Sequence, residues 1–184
     1  HRAGGTGNDL HSAIEVGGDW YDAVRLNERE TAFVVGDVVG HNLSAAKAMG
    51  RIRISIRTLA PLFPDPATLL ARLEPVVADI DGAAPTTLLY AVLDTWTHRL
   101  RFSCAGHPPP LVARAHGDVS FLHEGRGLPL GIAPSERTVG ETTLEPGDAL
   151  ILYTDGLVER RDEPIDEGLL RLAARVASAG STDP

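Results

Sequence analysis

From Thr87 to Thr154 the chain alternates apolar runs with short polar breaks, and this pattern excludes most ways of building a sheet. Thr87 to Asp94 and Arg99 to Cys104 flank a turn at Thr95 to His98. Leu111 to Ala115 and Val119 to Leu122 flank His116-Gly117-Asp118, a hairpin signal. Gly125 to Ala133 is punctuated by glycine and proline and reads as a loop. Arg137 to Leu144 leads through the tight turn Glu145-Pro146-Gly147-Asp148 into the strongly apolar run Ala149 to Thr154. Strands joined this closely pair antiparallel, because a parallel pair needs a crossover of a dozen or more residues. A doubly wound parallel sheet would alternate helices with strands, and no such alternation is present.

The first half adds a hairpin and two helices. Ile14 to Ala23 is strand-like, interrupted by Gly17-Gly18, with Asp19 directly after. Val24 to Leu26 continues the strand, Asn27 to Glu30 makes a polar turn, and Thr31 to Val35 returns as the partner. Such a hairpin brings Asp19 and Asp37 to one end of the sheet. From Leu43 to Ala60, Ala45, Ala48, Met49, Ile52, Ile56 and Leu59 recur at helical spacing, with Asn42 as N-cap. A second helix starts at Asp65-Pro66, with a stripe of Leu69, Leu70, Leu73, Val76 and Val77, and Pro75 is expected to kink or end it. A last helix covers about Asp166 to Ala177, with Leu169, Leu172, Ala173 and Val176 inward. Two antiparallel sheets with helices packed outside account for this order, an α+β class.

Composition narrows the function. A chain of 184 residues makes one domain and buries enough surface to fold without disulfides. Cys104 is its only cysteine, which rules out an intrachain disulfide or a Cys-based metal site and fits a reducing cytoplasm. A net charge of −8, with no dense basic run, argues against tracking nucleic-acid phosphates. No apolar run approaches the ~18 residues of a membrane span. Residues 1–13 are Gly-rich and polar and read as a flexible segment or linker, with the domain proper over 14–184.

Three acids share a local grammar. Asp19 follows Gly17-Gly18, Asp37 lies between Val34-Val35-Gly36 and Val38-Val39-Gly40, and Asp155 follows Leu152-Tyr153-Thr154 and precedes Gly156. Each falls at a strand end or interruption, and Gly36 and Gly40 let the backbone approach whatever Asp37 holds. Clustered carboxylates repel, and burial raises that cost, so cations would stabilise them. Oxygen ligands without cysteine suit Mg²⁺ or Mn²⁺. A carboxylate bridging two ions ~3.5–4 Å apart is the two-metal arrangement used on phosphate esters.

The segments VGGDWYD, GDVVGHNLSAA, AGHPPPL, GLPLGI and LYTDGLVE, in this order, resemble the bacterial metal-dependent protein phosphatases. These are the protein phosphatase 2C-like (PPM) family, in the branch of the stage II sporulation phosphatase and the stress-response sigma-regulator phosphatases. The resemblance covers roughly residues 14 to 177. It implies a four-layer α-β-β-α sandwich and a metal-activated water that hydrolyses phosphoserine or phosphothreonine on an anti-sigma-factor antagonist. It implies that Asp37 bridges two Mn²⁺ or Mg²⁺ ions and that the Val38 carbonyl completes the first metal's shell. Asp19 would serve that metal directly or through its waters, and Asp155 the second metal. A fused sensory domain outside this chain, and homodimerisation through helices preceding the phosphatase domain, are further implications. Three departures stand out. The strand that usually precedes VGGD is not evident. Asn42 replaces the usual glycine, and the family's last acid, before a terminal strand, is missing. The domain is therefore expected to lack its terminal strands. With that ligand absent, a binding module of weak catalytic power is the alternative, and a hydrolase of small phosphoesters a third reading.

Other residues read as supporting. Asp22 is expected to hold its local loop by hydrogen bonds, and Trp20, Tyr21 and Cys104 to pack. Arg51, Arg53 and Arg57 are expected to be solvated. His41 either assists the leaving group as an acid or orders its loop. His107 orders a proline-rich turn.

Overall fold

The computed structural model describes residues 18–40 and 42–180. Expectations for residues 1–13, for the strand-like 14–17 and for His41 fall outside them. The chain opens with the hairpin β1 (Trp20–Arg25) and β2 (Glu30–Val38), in which Trp20 faces Gly36 across the ladder. Its turn is closed by Asn27, whose side-chain oxygen accepts from the Arg29 and Glu30 amides at 2.8 and 2.9 Å. Helices α1 (Leu43–Leu59) and α2 (Pro66–Ala78) follow. Asn42 caps α1 through the Ala45 amide at 3.0 Å, and Asp65 caps α2 through the Thr68 amide at 2.9 Å. Pro75 does not stop α2, which runs on to Ala78.

The rest is strand, as the short breaks require. β3 (Thr86–Asp94) and β4 (Arg99–Ala105) complete a ladder β1-β2-β3-β4, to which β7 (Arg126–Gly127) and β8 (Gly140–Thr143) add along β4. β5 (Leu111–Ala113), β6 (Val119–Phe121) and β9 (Ala149–Ile151) form a second sheet in the order β6-β5-β9. Helix α3 (Ile165–Gly180) closes the chain. Two local expectations need correction. β7 pairs parallel with β4, inside the stretch expected to be only a loop. The strand expected from Arg137 begins only at Gly140, because Arg137 turns into the protein. Its guanidinium donates to Glu74 of α2 at 2.6 Å and to the Leu128 carbonyl at 2.5 Å.

Three apolar layers separate four structural ones, the α-β-β-α sandwich expected. Ile52, Ile56, Leu69, Leu70 and Leu73 seal α1 and α2 onto the larger sheet, against Val34, Leu88 and Tyr90. Leu89, Ala91, Phe102, Cys104 and Val112 fill the space between the sheets. Leu111, Tyr153 and Val158 meet Leu169, Leu172 and Val176 of α3. The alternation of β3 explains this division: Leu88 and Tyr90 face the helices, while Leu89 and Ala91 face the other sheet. Cys104 packs in that core as expected.

Candidate metal centre

Asp37 is not beyond the strand, as its glycine setting suggested, but within it. β2 extends to Val38, so Asp37 pairs with Thr87 on β3, one residue past the Trp20–Gly36 pair that ends the ladder with β1. Gly36 serves packing rather than a ligand: a Cβ there would meet the Trp20 ring at 2.4 Å. Gly40, with φ of 116°, supplies the left-handed residue that turns the chain from β2 toward α1. Gly18 is the residue that lets the site close. A Cβ on it would lie 2.0 Å from the Val38 carbonyl oxygen and 2.8 Å from Asp37 Oδ1. The Val38 carbonyl and the Asp37 carboxylate are therefore neighbours beside one bare backbone.

Asp155 arrives from the second sheet. It opens a single 3₁₀ turn, Asp155–Leu157, beyond the end of β9. One carboxylate oxygen from each of Asp19, Asp37 and Asp155 lies within 4.8 Å of the other two. Among the described residues no arginine, lysine or histidine pairs with any of the three. Burial, the hydrogen bond with Asp19, and the charges of Asp19 and Asp155 push the Asp37 carboxyl up to about 7. Three oxygen donors without a basic partner fit a hard divalent cation, which would relieve that repulsion.

The two sheets are tied together beside these acids by His107, which is buried at 2% exposure. Its Nε2 lies 2.9 Å from the Tyr153 carbonyl and its Nδ1 2.9 Å from Thr87 Oγ1. A carbonyl only accepts, so Nε2 carries the proton and Nδ1 accepts from the Thr87 hydroxyl. Burial lowers the His107 pKa, against the Tyr153 carbonyl and the charges of Asp155 and Asp19, which favour the proton. The neutral ring in one tautomer thus joins the ladder partner of Asp37 to the residue two before Asp155. Thr154 adds a second tie by donating to Asp19 Oδ2 at 2.9 Å, and the Tyr153 hydroxyl a third, to the Pro109 carbonyl at 2.7 Å. His107 therefore does more than order its turn.

Other expectations divide. Trp20 packs, but Tyr21 is 83% exposed because it falls on the outward face of β1. Asp22 does not merely order a loop. Arg57 grips both of its oxygens at 2.7 and 2.6 Å and Arg53 approaches at 3.3 Å, which lowers its pKa, the Arg57 bond contributing most. Those two arginines are thus paired rather than merely solvated. A larger cavity, of about 420 Å³, opens between Tyr21, Phe33, Leu150 and Leu152. Its one acid, Asp22, is already neutralised by Arg57 and Arg53.

An α-β-β-α sandwich with acids converging between its sheets is the architecture of the protein phosphatase 2C class. The chain belongs to the Stage II sporulation protein E (SpoIIE) family, whose model matches residues 27–184. It is similar to the phosphoserine phosphatase RsbU of Bacillus subtilis, with 29% identity over 153 residues, covering 82% of this chain and 45% of RsbU. The phosphoserine phosphatase RsbP of the same organism is 25% identical over 162 residues, covering 81% of this chain and 38% of RsbP. The chain thus spans less than half the length of these two relatives. Among solved structures, the RsbU and RsbW domains of a Mycobacterium tuberculosis protein superpose with a TM-score of 0.84 at 31% identity, covering 92% of this chain and 48% of that one. The PP2C phosphatase domain of Bacillus subtilis SpoIIE, at 19% identity and a TM-score of 0.72, shares the fold, covering 91% of this chain and 55% of that one.

Proposed function

We propose that this chain is a metal-dependent protein serine/threonine phosphatase that removes phosphate from a phosphorylated anti-sigma-factor antagonist. The observation that carries the reading is the convergence of Asp19, Asp37 and Asp155 within 4.8 Å without a basic partner among the described residues. Relatives named as phosphoserine phosphatases support the substrate class. In this reading Asp37, Asp19, the Val38 carbonyl and Asp155 would hold two ions, Mn²⁺ or Mg²⁺, with Asp37 serving both, Asp19 and Val38 the first, and Asp155 the second. Bound divalent ions would polarise a phosphoryl oxygen and lower the pKa of a coordinated water. The protein's own part is to hold four oxygens from two sheets at one point and to keep them there through His107. No helix among the described residues is long and apolar enough to cross a membrane.

The test is Mn²⁺-dependent phosphate release from a phosphorylated antagonist protein, with Asp37→Ala as control. Release by the wild type and its loss in the variant is the expected result. Equal activity of the two overturns this assignment of the centre. Binding of the antagonist without any release points instead to a partner-binding module, and a preference for small phosphate esters to a general phosphoesterase.

A further inference from the structure

Three carboxylates offset most of the charge of two divalent ions, so a free cation beside them would add to the seating of a phosphate monoester. The cations near the cleft are mostly engaged. Arg53 and Arg57 hold Asp22, Arg101 holds Glu30, and Arg137 holds Glu74. Arg126 is different. It makes no hydrogen bond or ion pair with any described residue, and it lines a cavity of about 200 Å³ together with Asp155, His107, Thr87 and His123. That volume is below the ~300–1,000 Å³ of pockets that enclose whole small ligands. It suits one side chain entering from the surface of another protein.

The backbone that carries Arg126 is clamped on both sides. Cys104 N donates to the Gly125 carbonyl and Gly106 N to the Gly127 carbonyl, each at 2.7 Å. Gly125 adopts φ of 67°, and a Cβ there would lie 2.8 Å from both the Gly140 nitrogen and the Phe102 carbonyl oxygen. The parallel strand β7 is too short to serve the sheet as an extra strand. Its effect is to fix one arginine on the wall of this cavity, one ladder step from the Gly106-His107 turn. A guanidinium offers a planar fork of donors that matches phosphoryl oxygens, and no carboxylate competes for this one among the described residues.

We infer that Arg126 is a substrate-binding residue that grips the phosphoryl oxygens of a phosphoserine or phosphothreonine side chain inserted into the cavity beside Asp155. This rests on the phosphatase reading above. The probes are inorganic phosphate, titrated calorimetrically into the Mn²⁺-loaded protein, and a phosphorylated antagonist protein in steady-state assays. Removing one charge-assisted fork by Arg126→Gln is expected to weaken phosphate binding roughly 10- to 100-fold and to raise KM by a similar factor. Arg126→Lys is expected to recover part of both. Mn²⁺ affinity and melting temperature stay at wild-type values, which separates a lost substrate contact from a damaged metal centre or fold. If the wild type turns over phosphoprotein and Arg126→Gln keeps its phosphate affinity and KM, this inference is wrong while the phosphatase reading stands. A fall in kcat alone, at unchanged phosphate affinity, also overturns it. A metal-loaded wild type that neither binds phosphate nor releases it removes both.

Discussion

Asp37 and Asp155 come to the same point from opposite sheets, and they are held by unlike means. Asp37 belongs to a nine-residue strand with a ladder on each side, β1 and β3. Its position is set by backbone hydrogen bonds that any side chain would leave intact. Asp155 lies past the end of a three-residue strand at the edge of the smaller sheet. Its 3₁₀ turn is closed by the Val158 and Glu159 amides on its carbonyl, at 2.8 and 2.7 Å. Beyond these and the Leu157 amide on the Thr154 carbonyl, side-chain ties place it: His107 to the Tyr153 carbonyl, Tyr153 to Pro109, Thr154 to Asp19. One acid is therefore built into the sheet, and the other is tethered to it. The built-in acid is placed by its own strand. The tethered one depends on side chains far from it in sequence.

Mutations on each side can break this contrast. The largest effect belongs to Asp37→Asn. In the proposed centre, losing the Asp37 carboxylate would forfeit several kcal/mol of metal-derived stabilisation, so kcat/KM should fall by about 10³ or more. The metal-free variant should nevertheless melt no lower than wild type, because the ladder is untouched and a buried repulsion is gone. A clear drop in its melting temperature would mean that Asp37 supports the sheet and is not merely carried by it. Next is His107→Phe, which keeps the volume and removes both ring bonds. Where such a partner stands one step behind a metal ligand, as His107 does in the proposed centre, it is worth roughly 10- to 100-fold in metal affinity or activity. The loss should appear in calorimetric Mn²⁺ titration as well as in kcat. Unchanged Mn²⁺ affinity would show that the turn alone holds Asp155 and that the two acids are equally well built. Thr87→Val should cost less, a few-fold in kcat, since the Tyr153 tie survives and only Nδ1 loses its partner, a penalty of about 1–3 kcal/mol.

The same contrast explains what could be read from the sequence. The β1–β2 hairpin, α1, α2 and the strand order were legible because apolar spacing, turn residues and caps are local signals. The placement of Asp19 with Asp37 followed, since a hairpin fixes register by its turn. The extent of β2 past Gly36 was not legible, because glycine argues against strand and only the Trp20 ring above it explains its presence. β7 was hidden for a related reason: two residues between glycines carry no periodicity, and their pairing with β4 is set by distant chain. The tether of Asp155 was least visible of all. His107 finds partners 20 residues back and 46 residues on, at Thr87 and Tyr153. No spacing rule connects positions so far apart. The PP2C-like fold followed from motif order, but the roles of Asp22 and its arginines required the packing of α1 over β1.

The smallest effect tests the built-in side through Asp22, one ladder step from the Asp37 strand. Arg57 and Arg53 hold its carboxyl below the ordinary value of 3.8, against a desolvation cost that works the other way. A depressed carboxyl pKa contributes stability that is fully present above the unfolded value and is lost as pH falls through the folded one. Asp22→Asn should therefore lower the melting temperature at pH 7 by no more than about 2–4 °C, because the arginines are half exposed and screened by water. The difference should hold constant from pH 7 down to about pH 5. It should shrink through the range below 3.8 and close where wild-type Asp22 is itself protonated. Metal affinity should not move, since Asp37 is held by its own ladder. A variant that melts normally but loses Mn²⁺ would show that α1, pinned to β1 through Asp22, helps hold the acids in place, and the built-in acid would then be tethered too.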